Sequence, residues 1–192
     1  MVVLLCGLFS FIKPASAGEM ADWIAKTSHK KVTLAQARQI ESAVYKHSFD
    51  KGLDPGLVLK LIGVESSYRW WAKSNKNAVG LMQVVPRYHG KLIKQVLGRR
   101  GALYQIEGNI AVGTEILRSY IAHYGGEDAG IRAYYGDHKR DTYLNKIRNY
   151  PVQDSFTPTE QELELLKPTP VFYGPTSSPG ETVSQLTKVD YQ

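Results

Sequence analysis

The sequence predicts an all-α, mostly helical domain over residues 33–150, followed by a proline-rich C-terminal tail over 151–192. Three observations carry this. Apolar residues recur at helical spacing in several segments, each bounded by capping residues or glycine. Few segments alternate as strands do. Six of the nine prolines fall after Tyr150, where serine and threonine also accumulate.

Residues 1–17, MVVLLCGLFSFIKPASA, hold an apolar run from Val2 to Ile12 that is too short to span a bilayer. Ala15-Ser16-Ala17 then supplies a small-x-small cleavage pattern, so this segment reads as a secretory leader cut before Gly18, with a membrane anchor that stays as the alternative. A periplasmic or secreted location is expected once it is removed. The lone cysteine, Cys6, lies within the leader, and Leu5 before it is too large for lipoprotein cleavage. The remaining chain is expected to fold without disulfides.

Residues 18–32 are a lead-in, with a short, weakly anchored helix expected over Glu19–Lys26. Thr33 is placed to cap a helix running to about Phe49, in which Leu34, Ala37, Ile40 and Val44 repeat at helical spacing. Gly52 ends it. Asp54-Pro55 pairs an N-cap with proline at the first helical position, opening a helix to about Ser67. Gly80–Val85 is a tight segment before Pro86. A basic amphipathic stretch follows over Tyr88–Leu97. Asn109 is placed to cap a further helix that Gly125-Gly126 stops near Tyr124. Two short helices are expected over 127–135 and 138–149. In the tail, Thr157-Pro158-Thr159-Glu160 fits a capping box for a short helix over 158–167.

The formal net charge is +6, falling to +5 without Lys13. A basic surface favours acidic polymers, and a secreted chain is not expected to meet nucleic acid. His29, His47, His89, His123 and His138 show no ligand spacing. No phosphate-binding glycine loop appears around Gly98–Gly101. Neither a metal nor a cofactor is expected. Lys91, Lys94, Arg99 and Arg100 read as a solvated basic face.

Glu65 shares a helix face with Val58 and Ile62, at i, i+4 and i+7. A carboxyl that continues an apolar stripe near a helix C-terminus is disfavoured in its ionised form by desolvation and by the helix dipole. A raised pKa suits a general acid near neutral pH.

Around it stand Glu65-Ser66-Ser67-Tyr68, then Ala72 and Ser74, then Gly80-Leu81-Met82-Gln83 and Pro86. This pattern resembles the catalytic motif of soluble lytic transglycosylases, which share a goose-lysozyme-like helical fold. Gln83 follows Glu65 by eighteen positions, as in that family. Asn109-Ile110 with Gly113, Ala133-Tyr134, and Tyr143 with Lys146-Ile147 continue the resemblance over roughly residues 38–150. Three departures stand out. Tyr135 replaces the family's asparagine, Gly136-Asp137 its A-G, and Trp71 its proline.

The resemblance implies a peptidoglycan lytic transglycosylase. Glu65 would protonate the glycosidic oxygen between N-acetylmuramic acid and N-acetylglucosamine, and then act as base on the C6 hydroxyl, giving a 1,6-anhydro end. The muramoyl N-acetyl group would stand in for a second carboxylate. Gln83 offers an amide to sugar hydroxyls or acetamido groups. Tyr134 would bond Glu65 or the N-acetyl group. Met82 would line the groove. Ser66, Ser74 and Tyr143 complete the expected substrate contacts. Tyr68, Trp70 and Trp71 form either a sugar-stacking platform or packing.

Two alternatives stay open. One is a hydrolytic muramidase or chitinase of the same fold, with Glu107, Asp137 or Asp141 as the second carboxylate. The other is an inert wall-binding component. The expected partners are peptidoglycan glycan strands and, through the tail, an envelope-spanning secretion, pilus, conjugation or phage assembly.

Overall fold

Capping chemistry sets the first two long helices. In a computed structural model, which describes residues 18–29, 31–136 and 141–152, α1 spans Glu19–Thr27 and α2 spans Leu34–Phe49. Thr33 Oγ1 accepts from the Gln36 amide at 3.2 Å, and Gln36 Oε1 accepts from the Thr33 amide at 3.0 Å. This reciprocal box satisfies two of the donors that a helix start leaves open. Asp54 accepts from the Gly56 and Leu57 amides, and Pro55 opens α3, Pro55–Ser66. These boundaries agree with the sequence reading.

The chain continues through α4 (Gly90–Leu97), a 3-10 turn at Arg100–Tyr104, α5 (Ile106–Tyr124), α6 (Glu127–Tyr135) and α7 (Asp141–Arg148). Among the described residues there is no strand, only isolated bridges of Val79 with Lys73 and with Val84. Helix α5 is central and packs against α2, α4 and α6, while α7 closes on α3 and α6. The core runs through Ile40, Val44, Leu59, Ile62, Leu81, Ile110 and Leu117.

Two expectations change. Helix α1 is well anchored: Met20, Ala21 and Ile24 are buried, and the Ala21 amide donates to Glu41 Oε1 at 3.3 Å. Burying Met20 and Ile24 contributes roughly 1.5–3 kcal/mol each. An apolar pair four residues apart is too short a pattern to reveal such docking. Asn109 does not cap α5, which begins at Ile106, and the Asn109 side chain is instead buried inside the fold. The leader over 1–17 with Cys6, and the tail helix over 158–167, lie outside the described residues.

Candidate active site

Glu65 sits in the last turn of α3, beyond the fully buried Val58 and Ile62 of the same face. The following Ser67 and Tyr68 take left-handed backbone angles, φ 50° and 63°, that turn the chain sharply away. The carboxyl is half-buried. Burial pushes its pKa above the usual value, and a hydrogen bond from Tyr143 pulls it partly back. Burial is the larger effect.

Tyr143 of α7 donates its hydroxyl to Glu65 Oε1. Its ring is buried and stacks on the Tyr135 ring, with centroids 4.6 Å apart and planes at 17°. Burial and the nearby Glu65 raise the Tyr143 pKa well above the ordinary value, so its hydroxyl stays a donor. Tyr143 thus makes the bond to Glu65 that was one of the two expected for Tyr134. Tyr134 does not bond Glu65; it donates to the Met82 carbonyl at 2.8 Å. It remains within electrostatic reach of Glu65, since that carboxylate helps raise the Tyr134 pKa.

The loop that presents Gln83 is tied to itself and to α5. Ser74 Oγ accepts from the Lys76 and Ala78 amides, so Ser74 shapes the turn. The Ala72 carbonyl accepts from the Gly80 amide at 2.8 Å and from Gln83 Nε2 at 3.4 Å. Gln83 Nε2 also donates to the Gly80 carbonyl at 2.9 Å. Gln83 itself adopts φ 48°. Its amide nitrogen is thus committed to the loop.

Asn109 is the hub that sequence reasoning missed. Its Oδ1 accepts from the Met82 amide at 2.8 Å, and its Nδ2 donates to the Val79 and Leu103 carbonyls at 2.9 and 3.1 Å. A side chain at Gly80, φ 78°, would place Cβ 2.2 Å from Asn109 Nδ2, so only glycine fits this approach. Gly113 plays a similar part: a Cβ there would lie 2.4 Å from Met82 Sδ.

Two expected substrate contacts turn inward. Met82 is fully buried against Gly113 and packs in the core rather than lining a groove. Ser66 is buried as well, its hydroxyl donating to the Ile62 carbonyl at 3.0 Å. A serine within a helix can bond back in this way to the carbonyl four residues earlier. The structure therefore brings together Glu65, Tyr143, Tyr134 and, through Met82, Gln83.

The aromatic group after Glu65 is split. Tyr68 is a core residue whose hydroxyl donates to the Leu59 carbonyl at 3.2 Å. Trp70 is half-buried and meets Trp71 edge-on at 5.6 Å. Trp71, 51% exposed, is the most open of the three. Of the other carboxylates, Glu107 is bound by Lys46 at 2.6 Å and Asp141 by Arg132 at 2.8 Å. Asp137 lies outside the described residues. Among the described residues no three His, Cys, Asp or Glu side chains converge as metal ligands would.

Comparison with known proteins adds a separate line of evidence. Residues 42–148 match the model of the transglycosylase SLT domain. A protein of Photorhabdus laumondii named membrane-bound lytic murein transglycosylase C is 29% identical over 157 residues, covering 69% of this chain and 42% of that protein. Its namesake in Haemophilus influenzae is 30% identical over 143 residues, covering 62% and 40%. That of Actinobacillus succinogenes is 38% identical over 87 residues, covering 43% and 24%. The chain thus spans less than half the length of these relatives.

Proposed function

The chain belongs to the transglycosylase SLT domain family, and on that premise we propose that it cleaves peptidoglycan as a lytic transglycosylase through Glu65. The observation that carries this reading is the state of the Glu65 carboxyl. It is half-buried, its pKa is raised by burial, and its Oε1 is engaged by Tyr143. In a carboxylic acid the carbonyl oxygen is the better hydrogen-bond acceptor, so the oxygen that accepts from Tyr143 is the poorer site for the proton. We assign Oε2 as the acid oxygen that meets the bridging glycosidic oxygen.

In the proposed reaction, Glu65 Oε2 gives its proton to the oxygen joining N-acetylmuramic acid to N-acetylglucosamine as the anomeric C–O bond breaks. The muramoyl acetamido oxygen bonds to the anomeric carbon. The C6 hydroxyl oxygen of the same sugar then displaces it, and the Glu65 carboxylate takes the hydroxyl proton. The acid is regenerated and no water is consumed. A tethered hydroxyl has a high effective concentration that bulk water lacks.

Tyr143 orients the carboxyl, and Tyr134 holds the Gln83 loop to α6. The Gln83 amide oxygen is the group we assign to a substrate N–H or O–H. Most glycoside hydrolases use a second carboxylate as base or nucleophile. Glu107 and Asp141 are already held in ion pairs, which favours the anhydro route.

The setting we propose is the cell envelope, where murein lies. The name of the relatives and the leader read at 1–17 agree on that compartment. Among the described residues no helix is long and apolar enough to cross a membrane. Docking to an envelope-spanning assembly through the 151–192 tail belongs to the same proposal and rests on the composition of that tail.

The test is product analysis of isolated sacculi digested in oxygen-labelled water. The expected muropeptides end in unlabelled 1,6-anhydro-muramoyl sugars. Mainly reducing ends that carry the label would make this a muramidase.

A further inference from the structure

The structure assigns Tyr135 a role as a positioning residue: its ring covers Tyr143 and keeps the Tyr143–Glu65 hydrogen bond shielded from water. This inference rests on the reading of Glu65 as the acid. It concerns a residue that stands where the family's motif has asparagine.

The geometry is a relay of three side chains from three helices. Glu65 closes α3, Tyr143 lies in the first turn of α7, and Tyr135 is the last residue of α6. Tyr143 sits on a helix of eight residues, directly after the exposed Asp141 and Thr142. A ring in such a place would ordinarily be wet, yet Tyr143 is only 5% exposed. The near-parallel Tyr135 ring, at 4.6 Å, covers one of its faces. Tyr135 itself is 59% exposed, so its own burial gains little for the fold. Its ring lies instead against a neighbour that is buried. The Gly136 that follows, at φ 83°, ends α6 directly after the ring. An asparagine at position 135 would have too short a side chain to lie across Tyr143.

Among the described residues, the groups that bear on Glu65 are few. Tyr143 from α7 donates to it, and Tyr134 from α6 lies within its field. Tyr143 in turn faces Glu65, Tyr134 and Tyr135. Of the described charges on α6 and α7, Arg132 and Asp141 are matched with each other at 2.8 Å. Water exclusion is therefore the main influence on the carboxyl, and the shielding ring is the lever on it. Admitting water beside Tyr143 stabilises the ionised form of Glu65 and lowers its midpoint.

The experiment follows the Glu65 side-chain carboxyl by carbon NMR against pH in the full chain, with Glu65→Gln identifying the resonance. Wild type, Tyr135→Ala and Tyr135→Phe are compared, and each is assayed for murein cleavage across pH. We expect Tyr135→Ala to lower the Glu65 midpoint by roughly half a unit, about threefold in the protonated fraction at a given alkaline pH. The alkaline limb of kcat/KM should move down with it. Tyr135→Phe keeps the ring and should track wild type. Equal midpoints for Tyr135→Ala and wild type overturn the inference, as does a Tyr135→Phe variant that behaves like alanine. The midpoint is read without substrate. A wild type that fails to cleave murein therefore counts against the functional reading alone.

Discussion

Tyr143 stands 78 residues beyond Glu65 in the chain, yet its hydroxyl donates directly to Glu65 Oε1. The bond joins the end of α3 to the start of α7 and fixes which carboxyl oxygen is free. Much of the expected behaviour of the site turns on this pair.

Replacing Glu65 with glutamine should remove cleavage by about 10²–10⁴-fold, the usual worth of a general acid–base group. The fold should not suffer. The folded carboxyl pKa is raised, so this group's contribution is most favourable below its unfolded value and is lost as pH rises through the folded one. Glu65→Gln should therefore melt at or above wild type at pH 7, with the gain vanishing in acid. Thermal melts at both ends of that range, beside a murein assay, check both halves.

Tyr143→Phe removes the donor and leaves the ring. The hydrogen bond lowers the Glu65 pKa, so its loss should raise it. The alkaline limb of kcat/KM should move to higher pH while kcat falls about tenfold, as expected for losing a bond to a charged group. The limb moves opposite to that of Tyr135→Ala. A pH–rate profile of the two variants separates donation from shielding.

Asn109→Ala should cost about 3 kcal/mol and much of the activity. It leaves the Met82 amide and the Val79 and Leu103 carbonyls without their partner inside the fold. Urea denaturation measures the first effect. Cleavage by the fraction that remains folded measures the second, because the Gln83 loop loses its tether to α5.

His47 makes the domain sensitive to acid. Burial, then Lys51 and Lys46, push its pKa from 6.5 down to about 4. A depressed histidine pKa contributes fully above 6.5, and that stability is lost as pH falls from 6.5 towards 4. The loss amounts to about 3 kcal/mol at most. His89, pushed down to about 4 by burial, acts in the same direction. Urea midpoints at pH 7 and 4.5 should differ less for His47→Gln than for wild type.

The helices were legible where their signals are local. The Thr33–Gln36 box and the Asp54-Pro55 start are written within four residues, and both stand in the structure. The position of Glu65 on an apolar face was legible for the same reason. What escaped depends on distant partners. Asn109 looks like a cap because asparagine commonly caps, but its acceptor oxygen serves an amide 27 residues away. The bond from Tyr143 to Glu65 is of that kind, since it joins residues 78 apart in the chain. Met82 and Ser66 were assigned to a groove by their place in a motif. Their side chains follow the core and the helix backbone instead.

The Met82 amide, held by Asn109 Oδ1 rather than by a neighbouring turn, also sets the loop's kinetics. A segment closed only by its own bonds can open by itself, quickly and often. This one is latched to the first turn of the central helix, so its amide is released for hydrogen exchange only when that helix start frays or the latch breaks. Opening of the loop and opening of α5 then belong to one cooperative unit. Gln83 would keep its place through the small fluctuations that disturb ordinary surface loops, and would lose it only in events large enough to disturb the core.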